Sequence, residues 1–333
     1  MKQLSVNAAA ANTGLATASA LLILISLFAG PANISPGEAL TALLTDQGAI
    51  TAIIRDIRLP RALAAWLAGA CLGAAGAGLQ GLLRNPLADP GVLGVSAAAA
   101  LGAIVALYFN FAAFAFWTTP VAAILFALGA TALLYILGAG RVSTARLILI
   151  GVGFSSLCGA LISLTMNLSP NPFALTDLIN WLFGTVVNRS FRDLAIAAPF
   201  AGAGLAMIAA AAPGLAALTL GEETAASIGA NLKRTRALVI AGAAFLVGAS
   251  VSVAGAIGFV GIAAPHLARA FAGQNPARIL LPSIMLGGAM LAGADLFIRI
   301  LPFDQELKLG VAAALIGAPG FVWIAATSKR IAS

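Results

Sequence analysis

The chain alternates between long apolar runs and short polar interruptions. The runs fall at roughly 13–32, 61–83, 91–109, 113–138, 145–166, 194–212, 235–254, 256–271, 277–300 and 308–326. A helix needs about 20 mostly apolar residues to cross a bilayer, so this pattern predicts about ten transmembrane helices joined by short loops. The expectation is an all-α polytopic membrane protein, with residues 1–333 forming a single transmembrane domain. The first run follows Lys2 and reads as a retained helix, since a polytopic remainder needs no cleavable signal.

Composition supports this reading. Of 333 residues, 61% are hydrophobic and only 9% charged, and the mean hydropathy is +1.03. A soluble domain carries about 25% charged residues, so this chain cannot cover a water-facing surface. Its 36 glycines suit membrane helices whose backbones approach closely. The net charge of +7 reflects 18 bases against 11 acids, with the bases scattered at helix ends. Without a dense basic stripe interleaved with aromatics, nucleic acid is not an expected partner. Cys71 and Cys158 lie inside apolar runs as packing residues. With one histidine in the chain, no metal site is expected.

Placing the N-terminus inside puts 11 Lys and Arg in cytoplasmic segments and 7 in outer ones. The bias favours two cytoplasmic termini. Two segments also resemble each other: "LAGACLGAAGA" (67–77) and "LVGASVSVAGA" (246–256) agree at 6 of 11 positions. They fall in the second and seventh crossings, which run in opposite directions, so a repeat would be of the inverted kind.

Four stretches interrupt the pattern. In "LLRNPLADPGVLGVS" (82–96), Pro86 and Pro90 break the helix and Gly91 and Gly94 loosen it. Such backbone at membrane depth is tolerated where protein covers it or it lines an aqueous path, which suits a turn or a gate at the inner mouth. The stretch "GFVGIAAPHLAR" (258–269) holds Pro265 and His266. His266 reads as a satisfied polar residue, because no nucleophile motif around a serine such as Ser96 accompanies it. The stretch "IIRDIRLPRAL" (53–63) puts Arg55, Arg58 and Arg61 on the outer side, as helix anchors or a docking patch for an acidic surface. Arg299 could join that patch, and it follows Asp295 at the spacing of a helical ion pair.

The fourth stretch is "LTLGEETAASIGANLKR" (218–234). If Leu218, Leu220, Ala225, Ile228 and Leu232 share one face, Glu222, Glu223, Ser227 and Asn231 lie on others. Helices that lie on lipid carry Lys and Arg on the polar face. Two mid-segment glutamates point to a protein partner instead.

Taken in order, "RLPRALAAWLAGA", "RNPLADPGVLGVS", "LGEETAASIGANL", "GFVGIAAPHLAR" and "LGVAAALIGAPGFVW" resemble the iron-chelate and cobalamin ABC-importer permeases, the FecCD-type family, over about residues 35–330. The resemblance implies a type II ABC-importer permease fold of ten transmembrane helices in the bacterial inner membrane. It implies a second permease subunit, identical or paralogous, two cytoplasmic ATPase subunits and a periplasmic binding protein. The chain itself would be no enzyme and would bind no cofactor, with ATP and Mg on the ATPase.

The resemblance also assigns residues. Arg58, Arg61 and Arg299 match outer arginines that pair with binding-protein glutamates. Asn85 and Leu87, with Ser143 and Thr144, match a translocation gate. Residues 218–231, including Gly221, Glu222, Glu223, Ala225, Ile228 and Gly229, match coupling helices that sit in the ATPase. Two departures stand out: Lys308 replaces the proline of an "ELPxG" motif, and Ala98 replaces a glycine. The cargo implied first is a ferric siderophore, with haem or cobalamin as alternatives. A secondary transporter is a remote one, since Asp295 lies too near a helix end to act as its coupling acid.

Overall fold

The computed structural model describes residues 8–30, 32, 34–44, 48–91, 93–137, 144–169, 172–301 and 306–327. Every described element is helical. In chain order they are α1 (Ala8–Phe28), α2 (Pro36–Leu44), α3 (Ala49–Ala52), a π-helical turn (Ile53–Arg58), α4 (Leu59–Leu83), α5 (Val95–Tyr108), a 3-10 turn (Phe111–Ala113), α6 (Thr118–Leu137) and α7 (Thr144–Asn167). Then come α8 (Pro172–Phe183), α9 (Phe191–Leu218), α10 (Glu222–Ser227), α11 (Leu232–Ala254), α12 (Val260–Ala272), α13 (Pro276–Ile300) and α14 (Leu309–Thr327).

Each of the ten predicted crossings contains one of these helices. Seven stretches are long and apolar enough to span a bilayer, the longest being the 35-residue rod Ala49–Leu83 formed by α3, the π turn and α4. Helices α5, with 14 residues, and α12, with 13, are shorter. Both follow broken backbone, at 84–94 and 255–259. Helices α2, α3, α8 and α10 lie outside the predicted crossings.

The core is α4, wrapped by α9, α11, α12 and α13. Glycine makes this possible. A Cβ on Gly69 would lie 2.0 Å from the Gly287 carbonyl oxygen, one on Gly73 2.1 Å from that of Ser283, and one on Gly76 1.8 Å from that of Gly261. Without side chains at these points the backbones touch directly, as expected of small-residue membrane interfaces. Rising numbers on α4 meet falling numbers on α13, so the two helices are antiparallel.

The repeat seen in the sequence has a counterpart in the packing. Helices α4 and α11 carry the two similar segments and run antiparallel, since the Ser250 hydroxyl donates to the Ala68 carbonyl at 3.2 Å while Val239 lies against Gly78. Their neighbours also correspond. Helix α5 packs on α6 as α12 packs on α13, α4 on α13 as α11 on α6, and α5 on α7 as α12 on α14. Both short helices thus hold equivalent places in two inverted halves.

Candidate functional site: a cleft and a charged cluster at opposite ends

One end of the bundle gathers the gate loop, the turn after α9 and the α12–α13 turn. They surround a cleft of about 570 Å³ lined by Gln80, Arg84, Asn85, Pro86, Thr219, His266, Arg269 and Gln274, among others. Buried Gln80 clasps the wall together. Its amide nitrogen donates to the carbonyls of Gly261 and Ile262, and its oxygen accepts from Arg269 at 2.6 Å. Nothing in the local sequence marks Gln80 out except its polarity inside an apolar run.

The gate loop is a chain of tight turns. Arg84 ends α4 in the left-handed region at φ 50°. The Asn85 side chain accepts from the Leu87 amide at 2.9 Å, and that of Asp89 accepts from the Gly91 amide at 2.7 Å. Burial pushes the Asp89 carboxyl above the usual range, partly opposed by that hydrogen bond. The Ser155 hydroxyl of α7 ties the loop down through the Gly91 carbonyl at 3.0 Å. Leu87 is left exposed beside the cleft. Of the second gate element, Ser143 lies outside the described residues and Thr144 opens α7.

The coupling segment borders the same end. Gly221, at φ 100°, turns the chain out of α9, and Glu222 and Glu223 occupy the first turn of α10, where acids complement the helix dipole. Gly229, at φ 86°, closes α10. There the Ala230 amide reaches the Ala225 carbonyl and the Gly229 amide that of Ala226, which is the Schellman pattern. Glu222 pairs with Arg236 of α11 at 2.7 Å.

The expected single apolar face does not form. Leu218 and Ala225 turn into the chain's own core, whereas Leu220 and Ile228 are 60% and 61% exposed. The turn at 219–221 breaks the helical phase, so the five positions cannot share one stripe. Ala225, read as a contact residue, is fully covered. The exposed surface of this segment includes Leu220, Ile228 and the two glutamates.

The opposite end of α4 gathers the three arginines. They are turned inward rather than displayed. Arg58 donates to the carbonyls of Leu27 and Ala32 at 2.8 and 2.7 Å, and Arg299 to that of Ala29 at 3.3 Å. These carbonyls belong to the end of α1 and the residues after it, where the helix supplies no intrahelical donors. Arg61 grips Asp295 of α13 through two nitrogens at 2.9 and 2.7 Å, and also binds Glu306. The expected pair of Asp295 with Arg299 is present at 3.2 Å. Three guanidiniums face two carboxylates, leaving a net charge of +1. Neither the pairing of Arg61 with Asp295 nor its pairing with Glu306, an acid expected only to lie on the outer side, was signalled by the local sequence. Helix α14 starts normally after Lys308, whose carbonyl accepts from the Ala312 amide at 3.1 Å, so the missing proline does not disturb its first turn.

Among the described residues no group of three His, Cys, Asp or Glu could hold a metal ion. What remains is a pair of broken helices in an inverted repeat, a cleft at one end and a charged cluster at the other. That arrangement suits a solute path, and residues 18–327 match the sequence model of the FecCD transport family. The chain belongs to that family. FecCD membership makes it a multi-pass permease of an ABC importer. The vitamin B12 import system permease protein BtuC of Klebsiella pneumoniae subsp. pneumoniae is 37% identical over 317 residues, 95% of this chain and 93% of that one. BtuC of Salmonella typhimurium is 37% identical over 311 residues, 93% of each chain. Among solved structures, an inward-facing transporter described as of metal-chelate type matches with a TM-score of 0.85 at 29% identity, over 97% of this chain and 100% of that one. PsaBC from Streptococcus pneumoniae, in complex with Fab, matches with a TM-score of 0.56 at 18% identity over 89% of this chain and 97% of that one, a likeness of fold alone.

Proposed function

We propose that this FecCD permease carries a cobalamin-type corrinoid. The observation that supports this over a ferric siderophore is the set of relatives at 37% identity named as vitamin B12 permeases, aligned over nearly the whole chain. A corrinoid is itself a metal chelate, so the likeness to a transporter of metal-chelate type is compatible with it. The complete importer contains a second permease subunit, two ATPase subunits that hold ATP and Mg, and a binding protein that delivers the cargo from outside. Both termini and the 218–231 segment face the cytoplasm, in keeping with the excess of Lys and Arg in those loops.

In this reading Leu220, Glu222, Glu223 and Ile228 contact the ATPase. Its closure moves α10 and, through the turns at Gly221 and Gly229, the helices α9 and α11. The cleft beside Asn85 and Leu87 then opens or closes, and the cargo passes between the two permease subunits by alternating access. At the other end, the net-positive cluster attracts acidic side chains of the binding protein, with Arg61 as the contact residue and the buried Arg58 and Arg299 adding their charge from behind it.

The cargo is tested by reconstituting the permease with its ATPase and cognate binding protein in vesicles. ATP-dependent uptake of cyanocobalamin, a ferric hydroxamate siderophore and haem is then compared. Uptake of cyanocobalamin in preference to the others is expected. Siderophore uptake without cyanocobalamin uptake refutes the corrinoid reading.

A further inference from the structure

We propose that Glu306 is a built-in substitute for the partner carboxylate at Arg61: it occupies the guanidinium while the importer is undocked, and an acidic side chain of the delivering protein displaces it. The inference rests on the docking role given above to the arginine cluster, and assigns that role a competitor inside the chain.

The two carboxylates on Arg61 are not equivalent. Asp295 sits near the end of α13, is 1% exposed and is shared by Arg61 and Arg299. Its removal would leave two guanidiniums facing each other, so it is a permanent part of the cluster. Glu306 is 35% exposed and stands in the short non-helical stretch just before α14. Among the described residues its one ion pair is with Arg61. A half-exposed pair of this kind contributes little stability, and another carboxylate can replace it with little change in charge balance. Holding Glu306 lowers the cluster from +2 to +1, which weakens its pull on any stray anion. Only a partner whose carboxylate reaches Arg61 while its other acids feel the field of the whole cluster gains enough to replace it.

Displacement would be felt beyond Arg61. Three residues after Glu306, the Leu309 amide donates to the Gly184 carbonyl at 3.0 Å. The adjacent Thr185 amide donates to the Ala254 carbonyl at 2.8 Å, where α11 breaks before α12. The chain from Arg61 through Glu306 and Leu309 thus ends at the break that mirrors the gate loop in the inverted repeat. Docking therefore loosens the first turn of α14 and bears on the outer break.

The test uses the assembled importer in lipid nanodiscs with its cognate binding protein. It measures docking affinity and hydrogen exchange at the amides of Leu309–Ala312. Glu306→Gln should tighten docking about two- to fivefold at low ionic strength, the size expected for a half-exposed pair. The gain should fade in high salt. Exchange at Leu309 should rise in the wild type on docking, and should already be raised in undocked Glu306→Gln. Glu306→Ala serves as a second variant with the same expectations. If reversing Arg58, Arg61 and Arg299 to Glu leaves docking unchanged, the docking role fails and this inference falls with it. If those reversals weaken docking while both Glu306 variants bind and exchange like the wild type, this inference alone is overturned.

Discussion

The sharpest mechanical prediction concerns Gly73, where α4 lies directly on α13. A methyl group added there would stand 2.1 Å from the Ser283 carbonyl oxygen, against about 3.4 Å for ordinary contact. The backbones must separate by about 1.3 Å, the difference of these distances, and Gly69 and Gly76 hold α4 to its neighbours one turn away on either side. Forced overpacking of this kind costs about 1–3 kcal/mol. Alanine also gains roughly 1 kcal/mol over glycine as a helix former. Gly202→Ala supplies the control, because a Cβ at Gly202 in α9 meets nothing within 4 Å. The propensity gain cancels between the two variants, leaving a difference of about 1–3 kcal/mol. Unfolding of the purified permease in mixed micelles, titrated with a denaturing detergent, measures it. If Gly73→Ala is as stable as Gly202→Ala, the direct backbone contact of α4 and α13 is refuted.

Three further outcomes are expected. Asp295→Asn removes the buried carboxylate between Arg61 and Arg299 and should cost about 3–5 kcal/mol, so an unchanged Tm would refute the cluster as drawn. Reversing Arg58, Arg61 and Arg299 to Glu should weaken binding-protein docking, most at low salt; a pull-down at low ionic strength that retains full binding removes the docking role. Gly229→Trp places a side chain at φ 86°, disrupts the turn that ends α10 and should uncouple ATP hydrolysis from uptake while leaving assembly partly intact. Wild-type transport by that variant refutes the coupling role.

Much of this molecule is legible before any coordinates, and for a definite reason. A segment crosses a bilayer because of its own length and apolarity, so a helix in each of the ten predicted runs could be read window by window, although only seven described stretches reach spanning length. Broken backbone is equally local. Pro86, Pro90 and their glycines announce the broken loop between α4 and α5, and Gly221 and Gly229 announce the turns around α10. The inverted repeat was also visible, since two halves folding alike keep similar small residues where their helices meet.

Side-chain partnership was not legible in the same way. Arg61 meets Asp295 across 234 positions of sequence and Glu306 across 245. No local rule selects those two acids from the 11 in the chain. Arginines that read as an outward patch turn inward, because the end of α1 offers unpaired carbonyls and α13 offers a carboxylate within reach. Likewise the residues of 218–232 carry enough leucine and isoleucine for one apolar face. Only the turn at 219–221 decides that Leu218 and Ala225 go to the core while Leu220 and Ile228 face outward. Burial along one helix is a property of the chain, whereas which charges meet and which apolar residues stay exposed depend on how the helices come together.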